Sequence, residues 1–167
     1  MKIRTDFVTN SSSSSFILAF KDKDDLEEFK NYCKECNYNK VWKLVKRVLK
    51  QSSGTDSIKE SKSMMHNYYV REFKNEYMNS HIEGCRYTKE YFEKEHEIEN
   101  SEEYQKAEAE YLATTDYADR VERIDNASIV INGMIWDTDG GIMEYAIRNG
   151  LLEDEFFKWC VLNYNIG

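Results

Sequence analysis

Phe16-Ile17-Leu18-Ala19-Phe20 constrains the fold more than any other stretch of this 167-residue chain. In an extended backbone Phe16, Leu18 and Phe20 point to one side, and Ile17 and Ala19 to the other. Both sides are apolar, so the strand they form is expected to be central or covered on both faces. Lys2 to Val8 reads as a second short strand. Between the two lie Thr9, Asn10 and five consecutive serines, Ser11, Ser12, Ser13, Ser14 and Ser15. Serine is a weak former of strand and helix because its hydroxyl competes for nearby backbone groups. Thr9 to Ser15 is therefore predicted as a loop dense in hydroxyls and backbone N–H groups. Such a loop is either a plain polar connection or an anion site, because turn backbones can aim several N–H groups at one charge. It has no glycine and no following Gly-Lys-Ser/Thr, so it is not a P-loop. No Gly-x-Ser-x-Gly elbow marks a nucleophilic serine anywhere in the chain.

The string Asp6-Phe7-Val8-Thr9-Asn10-Ser11-Ser12-Ser13-Ser14-Ser15-Phe16, close to Met1, resembles the N-terminal segment of a set of uncharacterised bacterial proteins. The resemblance spans roughly the first 20 residues. It implies a bacterial origin and carries over no activity, cofactor or site residue.

The chain is long enough for one domain with a sizeable core. Apolar residues make up 41% and aromatics 14%, so much of that core is expected to be aromatic. The absence of proline removes the strongest helix interrupter and permits long helices. Charge is unevenly spread: residues 1–50 carry 11 Lys/Arg against 7 Asp/Glu, and the remainder carries 12 against 24. An acidic majority argues against general nucleic-acid binding, whose footprint is a basic face. The apolar run Phe16 to Phe20 is far shorter than the roughly 7–15 residues of a signal core or the ~20 of a membrane span. A cytoplasmic protein with no transmembrane segment is the expectation. In that reducing setting Cys33, Cys36, Cys85 and Cys160 are expected as thiols.

After Phe20 the apolar period changes. Asp22, Asp24 and Asp25 supply N-cap and first-turn acids, and Leu26, Phe29 and Cys33 follow at helical spacing, predicting a helix from about Asp24 to Cys36. A second helix is predicted from about Lys40 to Gln51. Its apolar stripe holds Val41, Trp42, Leu44, Val45, Val48 and Leu49. The other side holds Lys40, Lys43, Lys46, Arg47 and Lys50 without one acid. Such a face is either solvated, paired with the chain's own acids, or a docking surface for an acidic partner or a membrane. Ser57-x-x-Glu60 has the capping-box pattern and opens a long helix to about Ser80, with Met65, Tyr69, Phe73 and Tyr77 on one stripe. A turn near Gly84, a helix carrying Tyr91 and Phe92, a capping-box-like start at Asn100-x-x-Glu103, and a short helix from Thr115 or Asp116 complete a helical block at about 57–124.

Ser128 to Trp136 contains Asn132-Gly133 between β-branched residues, the pattern of a hairpin with a type I′ turn, pairing Ile131 with Met134 and Ile129 with Trp136. This hairpin and the N-terminal strands are expected to share one small, mainly antiparallel sheet. A helix holding Ile142 to Ile147 follows, ended by Gly150. The tail from Leu151 is expected to begin as helix, and Trp159 to Ile166 reads as helix or strand.

Asp137-x-Asp139-Gly140-Gly141 lies where strand gives way to helix. Two carboxylates one residue apart suit an oxygen-loving cation, and glycines admit close backbone approach to a ligand; the plainer account is a helix cap and a turn. Cys33-x-x-Cys36 has the spacing of a zinc half-site or redox pair, but no second such pair exists, and no metal is favoured. The fold class expected is α+β, a single domain over 1–167. Two functions fit. One is a non-catalytic interaction or regulatory domain with a protein partner or a second copy. The other is a ligand- or metal-dependent enzyme built from Ser11–Ser15, Asp137, Asp139, Gly140 and Gly141. The sequence names no cofactor and no catalytic residue.

Overall fold

The computed structural model of the protein describes residues 13–51, 56–84, 86, 88–113, 115–136, 146–147 and 149–166. Among these the elements run β1 (Ser13–Phe20), α1 (Lys23–Glu35), α2 (Asn39–Gln51), α3 (Asp56–His81), α4 (Lys89–Glu99), α5 (Glu102–Leu112), α6 (Thr115–Asp125), β2 (Ile129–Trp136), α7 (Leu151–Glu155) and β3 (Cys160–Ile166). The protein is α+β, with a three-stranded antiparallel sheet in the order β2-β1-β3. The chain forms two compact units, Met1–Ser61 with Asn126–Gly167, and Lys62–Asp125.

In the first unit β1 is the central strand, as its two apolar faces require. Phe16, Leu18 and Phe20 enter a core with Phe29 and Cys33 of α1, Val41 and Val45 of α2, Ile131 and Ile135 of β2, and Leu152, Phe156 and Trp159 near the C-terminus. Phe29 is the hub. Its ring centroid lies 5.3 Å from Phe20, 5.2 Å from Phe156 and 5.1 Å from Trp159. Phe16, Phe20, Phe29 and Phe156 are fully buried, and each contributes roughly 1.5–3 kcal/mol relative to exposure. The second face of the sheet carries Ile17, Ala19, Val130 and Leu162, all buried. There the start of α3 is tied to β2: Ser57 Oγ donates to the Val130 carbonyl at 2.5 Å, and Asn132 Nδ2 donates to Ser61 Oγ at 2.9 Å.

Three expectations are corrected. Asn132-Gly133 is not a hairpin turn. β2 runs unbroken through it and pairs with β1 from Ser13↔Trp136 to Phe20↔Ile129, with Phe16 opposite Gly133. Neither Asn132 nor Gly133 has the positive φ of a type I′ turn. The glycine serves close approach instead: a Cβ there would stand 2.6 Å from Phe16 Cζ and 2.8 Å from Cε1. Ser13, Ser14 and Ser15 are not loop but the first residues of β1. Strands on both sides satisfy the backbone groups for which the hydroxyls would otherwise compete. Neither capping box forms as expected. Ser57 lies inside α3 and bonds to β2, while Ser101 rather than Asn100 caps α5, accepting from Tyr104 N.

Other readings hold. Asp22 caps α1 by accepting from the N–H groups of Asp24 and Asp25, both at 2.9 Å. The tail is helix and then strand, and Gly150, at φ +91°, donates its N–H to the Ile147 carbonyl. The strand expected over Lys2 to Val8 and the start of the helix expected from Ile142 lie outside the described residues.

The second unit buries the stripe of α3. Met65, Tyr69 and Phe73 are buried, and Phe73 lies 5.3 Å from Tyr77, 5.4 Å from Tyr104 of α5 and 5.2 Å from Tyr111. Lys74 bridges to Glu95, at 3.1 Å, and to Glu99 of α4. Tyr69 OH donates to Asp116 of α6 at 2.6 Å, and Arg120 holds the other oxygen of that carboxylate at 3.2 Å.

Candidate functional site

At 3.6 residues per turn, the cations of α2 occupy an arc of about 120° and its apolar residues one of about 160°. Val41 and Val45 are buried, and Trp42, Leu44, Val48 and Leu49 pack against the same core. That burial fixes the rotation of the helix, so Lys40, Lys43, Lys46, Arg47 and Lys50 are turned outward and exposed. Among the described residues no carboxylate lies within 4 Å of any of these five. Lys30, Lys62, Lys74 and Lys158, by contrast, each have one. With no counterion among the described residues, these five like charges repel one another along α2, and the apolar face must hold them together. Within a Debye length of about 8 Å they act on an approaching surface as one positive patch.

The outer face of α1, in the same unit, has the opposite sign. Asp24, Glu27, Glu28, Asn31, Tyr32 and Glu35 line a groove of about 450 Å³ with Trp159 at its wall. Asp25 fixes this wall to the helix. It accepts from Lys21 N and Trp159 Nε1, both at 3.0 Å, with Lys158 Nζ at 3.3 Å. Burial pushes the Asp25 carboxyl up, but these three donors outweigh it and hold the group below the ordinary carboxylate range. Lys158 also reaches Glu28 at 2.5 Å and stands 5.1 Å above the Trp159 ring. Glu27 is paired with Lys30 at 2.5 Å. Among the described residues Asp24 and Glu35, at the two ends of the groove, have no ion-pair partner.

The residues expected to bind a ligand fall in three places. Ser11, Ser12, Asp137, Asp139, Gly140 and Gly141 lie outside the described residues. Ser14 and Ser15 are fully buried in β1, and Ser15 Oγ has no hydrogen-bond partner among the described residues. Ser13 is the register partner of Trp136, so β1 begins where β2 ends. Cys33 and Cys36 separate in character. Cys33 is buried in the core, and burial, with Cys36 nearby, pushes its thiol up to about 12. Such a thiol stays protonated in the metal-free chain and is a poor nucleophile for disulfide exchange. Cys36 is exposed at the end of α1 beside Tyr32. Loss of solvent, with Cys36 and Glu155 adding, raises the Tyr32 phenol to about 12, so it remains a donor to Glu155 at 3.3 Å. Among the described residues no three His, Cys, Asp or Glu side chains gather to hold a metal ion.

The cationic face was legible in the sequence as the acid-free side opposite the apolar stripe of the predicted helix. The groove was not, since Trp159 comes from a segment more than 120 residues beyond α1 and carries no local signal of its partner. No protein-family model matches the chain, and no curated protein or solved structure is significantly similar to it. What fold and site define is an α+β protein presenting a carboxylate-free cationic helix. No helix among the described residues is long and apolar enough to cross a membrane.

Proposed function

We propose that this is a non-catalytic interaction protein of the bacterial cytoplasm that uses the exposed face of α2 to bind an acidic protein surface. The observation that carries the reading is the set Lys40, Lys43, Lys46, Arg47 and Lys50, exposed on one helix face with no carboxylate within ion-pair reach among the described residues. A solvated surface in a chain of net charge −8 has ample acid to interleave with its lysines, and α3 to α6 do so repeatedly. α2 does not. The apolar side of α2 is occupied by the core, which removes the amphipathic insertion a membrane helix requires. The thiols of Cys33 and Cys36 fit a reducing compartment.

The test uses labelled poly-L-glutamate as the acidic probe and fluorescence anisotropy as the readout. Binding by the full chain is expected, weakening steeply with salt and lost in Lys43→Glu/Arg47→Glu. Failure of the wild type to bind, or equal binding by the variant, overturns the reading. A duplex DNA probe run beside it separates a protein-like acidic partner from phosphate: tighter binding to DNA than to poly-glutamate also overturns it.

One observation favours a second reading, a ligand-dependent enzyme. Because Ser13 is paired with Trp136, the segments that lead into β1 and out of β2 join the sheet at one end, as a site shared by Ser11–Ser15 and Asp137/Asp139 requires. Its test is native mass spectrometry of protein purified without chelator, with Asp137→Asn/Asp139→Asn as the control. A bound cation or small phosphorylated molecule that disappears in the variant supports it, and a bare mass in both refutes a tightly held ligand.

A further inference from the structure

The α2 face has a counterpart on this same chain, and we infer that its partner is a second copy, docked through the acidic groove of α1. The inference rests on the reading that the α2 face is an interaction surface, and it names the partner. Three features argue for it. First, the signs are complementary. The α2 stripe contributes five cations and no acid, and the groove wall contributes Asp24, Glu27, Glu28 and Glu35. Second, the lengths agree. Lys40 to Lys50 spans about 15 Å at 1.5 Å per residue, and Asp24 to Glu35 spans about 16 Å. The open charges match best at the ends, because Asp24 and Glu35 are the groove carboxylates without a partner among the described residues, whereas Glu27 and Glu28 already have Lys30 and Lys158. Third, the groove is more than charge. The half-buried Tyr32 lines it and offers an aromatic surface to the ammonium and guanidinium heads of lysine and arginine, as the buried Trp159 ring already does for Lys158 at 5.1 Å.

Within one copy the two surfaces cannot meet in this way, since α1 and α2 both turn their apolar sides into the same core and their charged sides outward. Between copies they meet head to tail. One chain offers α2 and the next offers α1, so the contact does not close at two subunits unless the rotation does. Exposed ion pairs are individually weak, so a Kd on the order of 0.1–1 mM is expected. The net charge of −8 opposes association at low salt, where its repulsion is long-ranged. Assembly is therefore expected to be strongest near physiological ionic strength and lost at high salt.

The experiment is analytical ultracentrifugation of the full chain over a concentration series reaching about 1 mM. The weight-average mass is expected to climb from 19.8 kDa without a plateau at the dimer, and to return to the monomer in high salt. Lys43→Glu/Arg47→Glu removes the donor face, and Asp24→Asn/Glu35→Lys removes the acceptor. Each alone is expected to weaken association roughly tenfold or more. Mixed, the two variants are expected to form a complex that stops at two copies, because the first keeps an intact groove and the second an intact α2. A wild type that stays monomeric throughout, or a mixture that does not associate while both variants keep the wild-type circular dichroism spectrum, overturns the inference. The poly-glutamate assay keeps the two ideas apart. A monomeric wild type that still binds the probe through α2 sinks self-docking and leaves the acidic-partner reading standing. Probe binding that ignores α2 sinks both.

Discussion

Gly133→Ala gives the sharpest test of the sheet. In an ordinary strand this change is mildly favourable, since alanine loses less backbone entropy on folding, by about 0.4–1 kcal/mol. Here the new Cβ would stand 2.6 Å from Phe16 Cζ and 2.8 Å from Cε1, against an optimum of about 3.5–4.0 Å between carbons. The contacting atoms are the far end of a ring, which in an open site would swing aside. Phe16 is fully buried in the main core, so its ring has nowhere to go without displacing neighbours. Overpacking of this kind costs about 1–3 kcal/mol. Set against the entropic gain, the net loss is about 1–2 kcal/mol. For a chain of this size that lowers Tm by roughly 2–8 °C. A hairpin turn at Asn132-Gly133 would also be damaged by alanine, through its positive φ, so the single variant does not discriminate. The double-mutant cycle with Phe16→Leu does. If the ring is the obstacle, Gly133→Ala is expected to cost about 1 kcal/mol less in the Phe16→Leu background than in the wild type. Urea titrations of the four proteins measure it. Additive effects would refute the placement of Phe16 over Gly133, and a Gly133→Ala variant more stable than wild type would refute the packing argument itself.

Three further outcomes follow from individual polar groups. Ser57→Ala removes the donor to the Val130 carbonyl and is expected to cost about 1 kcal/mol in urea unfolding. Ser15→Ala is expected to be neutral or stabilising, because Ser15 Oγ is buried without a partner among the described residues and its removal forfeits only a desolvation penalty; a loss above about 1 kcal/mol would reveal a bond that the geometry denies. Asp25 has a carboxyl pKa depressed in the folded state. Its stabilisation is therefore present above the unfolded value of about 3.9 and lost as pH falls through the lower folded value. Asp25→Asn is expected to flatten the acid side of the stability profile, and an unchanged slope between about pH 5 and the acid limit, roughly the window in which carboxylates protonate, would contradict the assignment.

The helices were legible because their signals are local. Asp22 with Asp24 and Asp25, the stripe of α2 and the four-residue recurrence of Met65, Tyr69 and Phe73 each sit within a turn or three of what they specify. The sheet was half legible for the same reason. Two apolar faces over Phe16 to Phe20 announce a covered strand, but nothing adjacent in sequence says which strands lie beside it. Asn-Gly is a strong turn signal only while its flanks have no better partner. β1 offers Ile129 to Trp136 eight register positions, against the few a hairpin within that segment would provide, and the longer ladder wins. The same logic applies to Ser13, Ser14 and Ser15. Their weak strand preference was real, and the two neighbours of β1 overrode it.

The same asymmetry explains which part of the candidate site was visible. A cationic face is written into one helix and survives any tertiary arrangement that buries the opposite stripe. The acidic groove depends on Trp159 meeting α1, which Asp25 accomplishes by holding the indole N–H at 3.0 Å. That bond joins a helix start to the residue just before β3, the strand that pairs with β1. Asp25 is thus placed to couple groove formation to completion of the sheet. A variant that breaks this bond without unfolding the chain should keep the α2 face and lose the groove. In the mixing experiment Asp25→Ala, which leaves the indole N–H without this acceptor, would then behave as an acceptor-defective protein, although it removes only one charge and none that lines the groove.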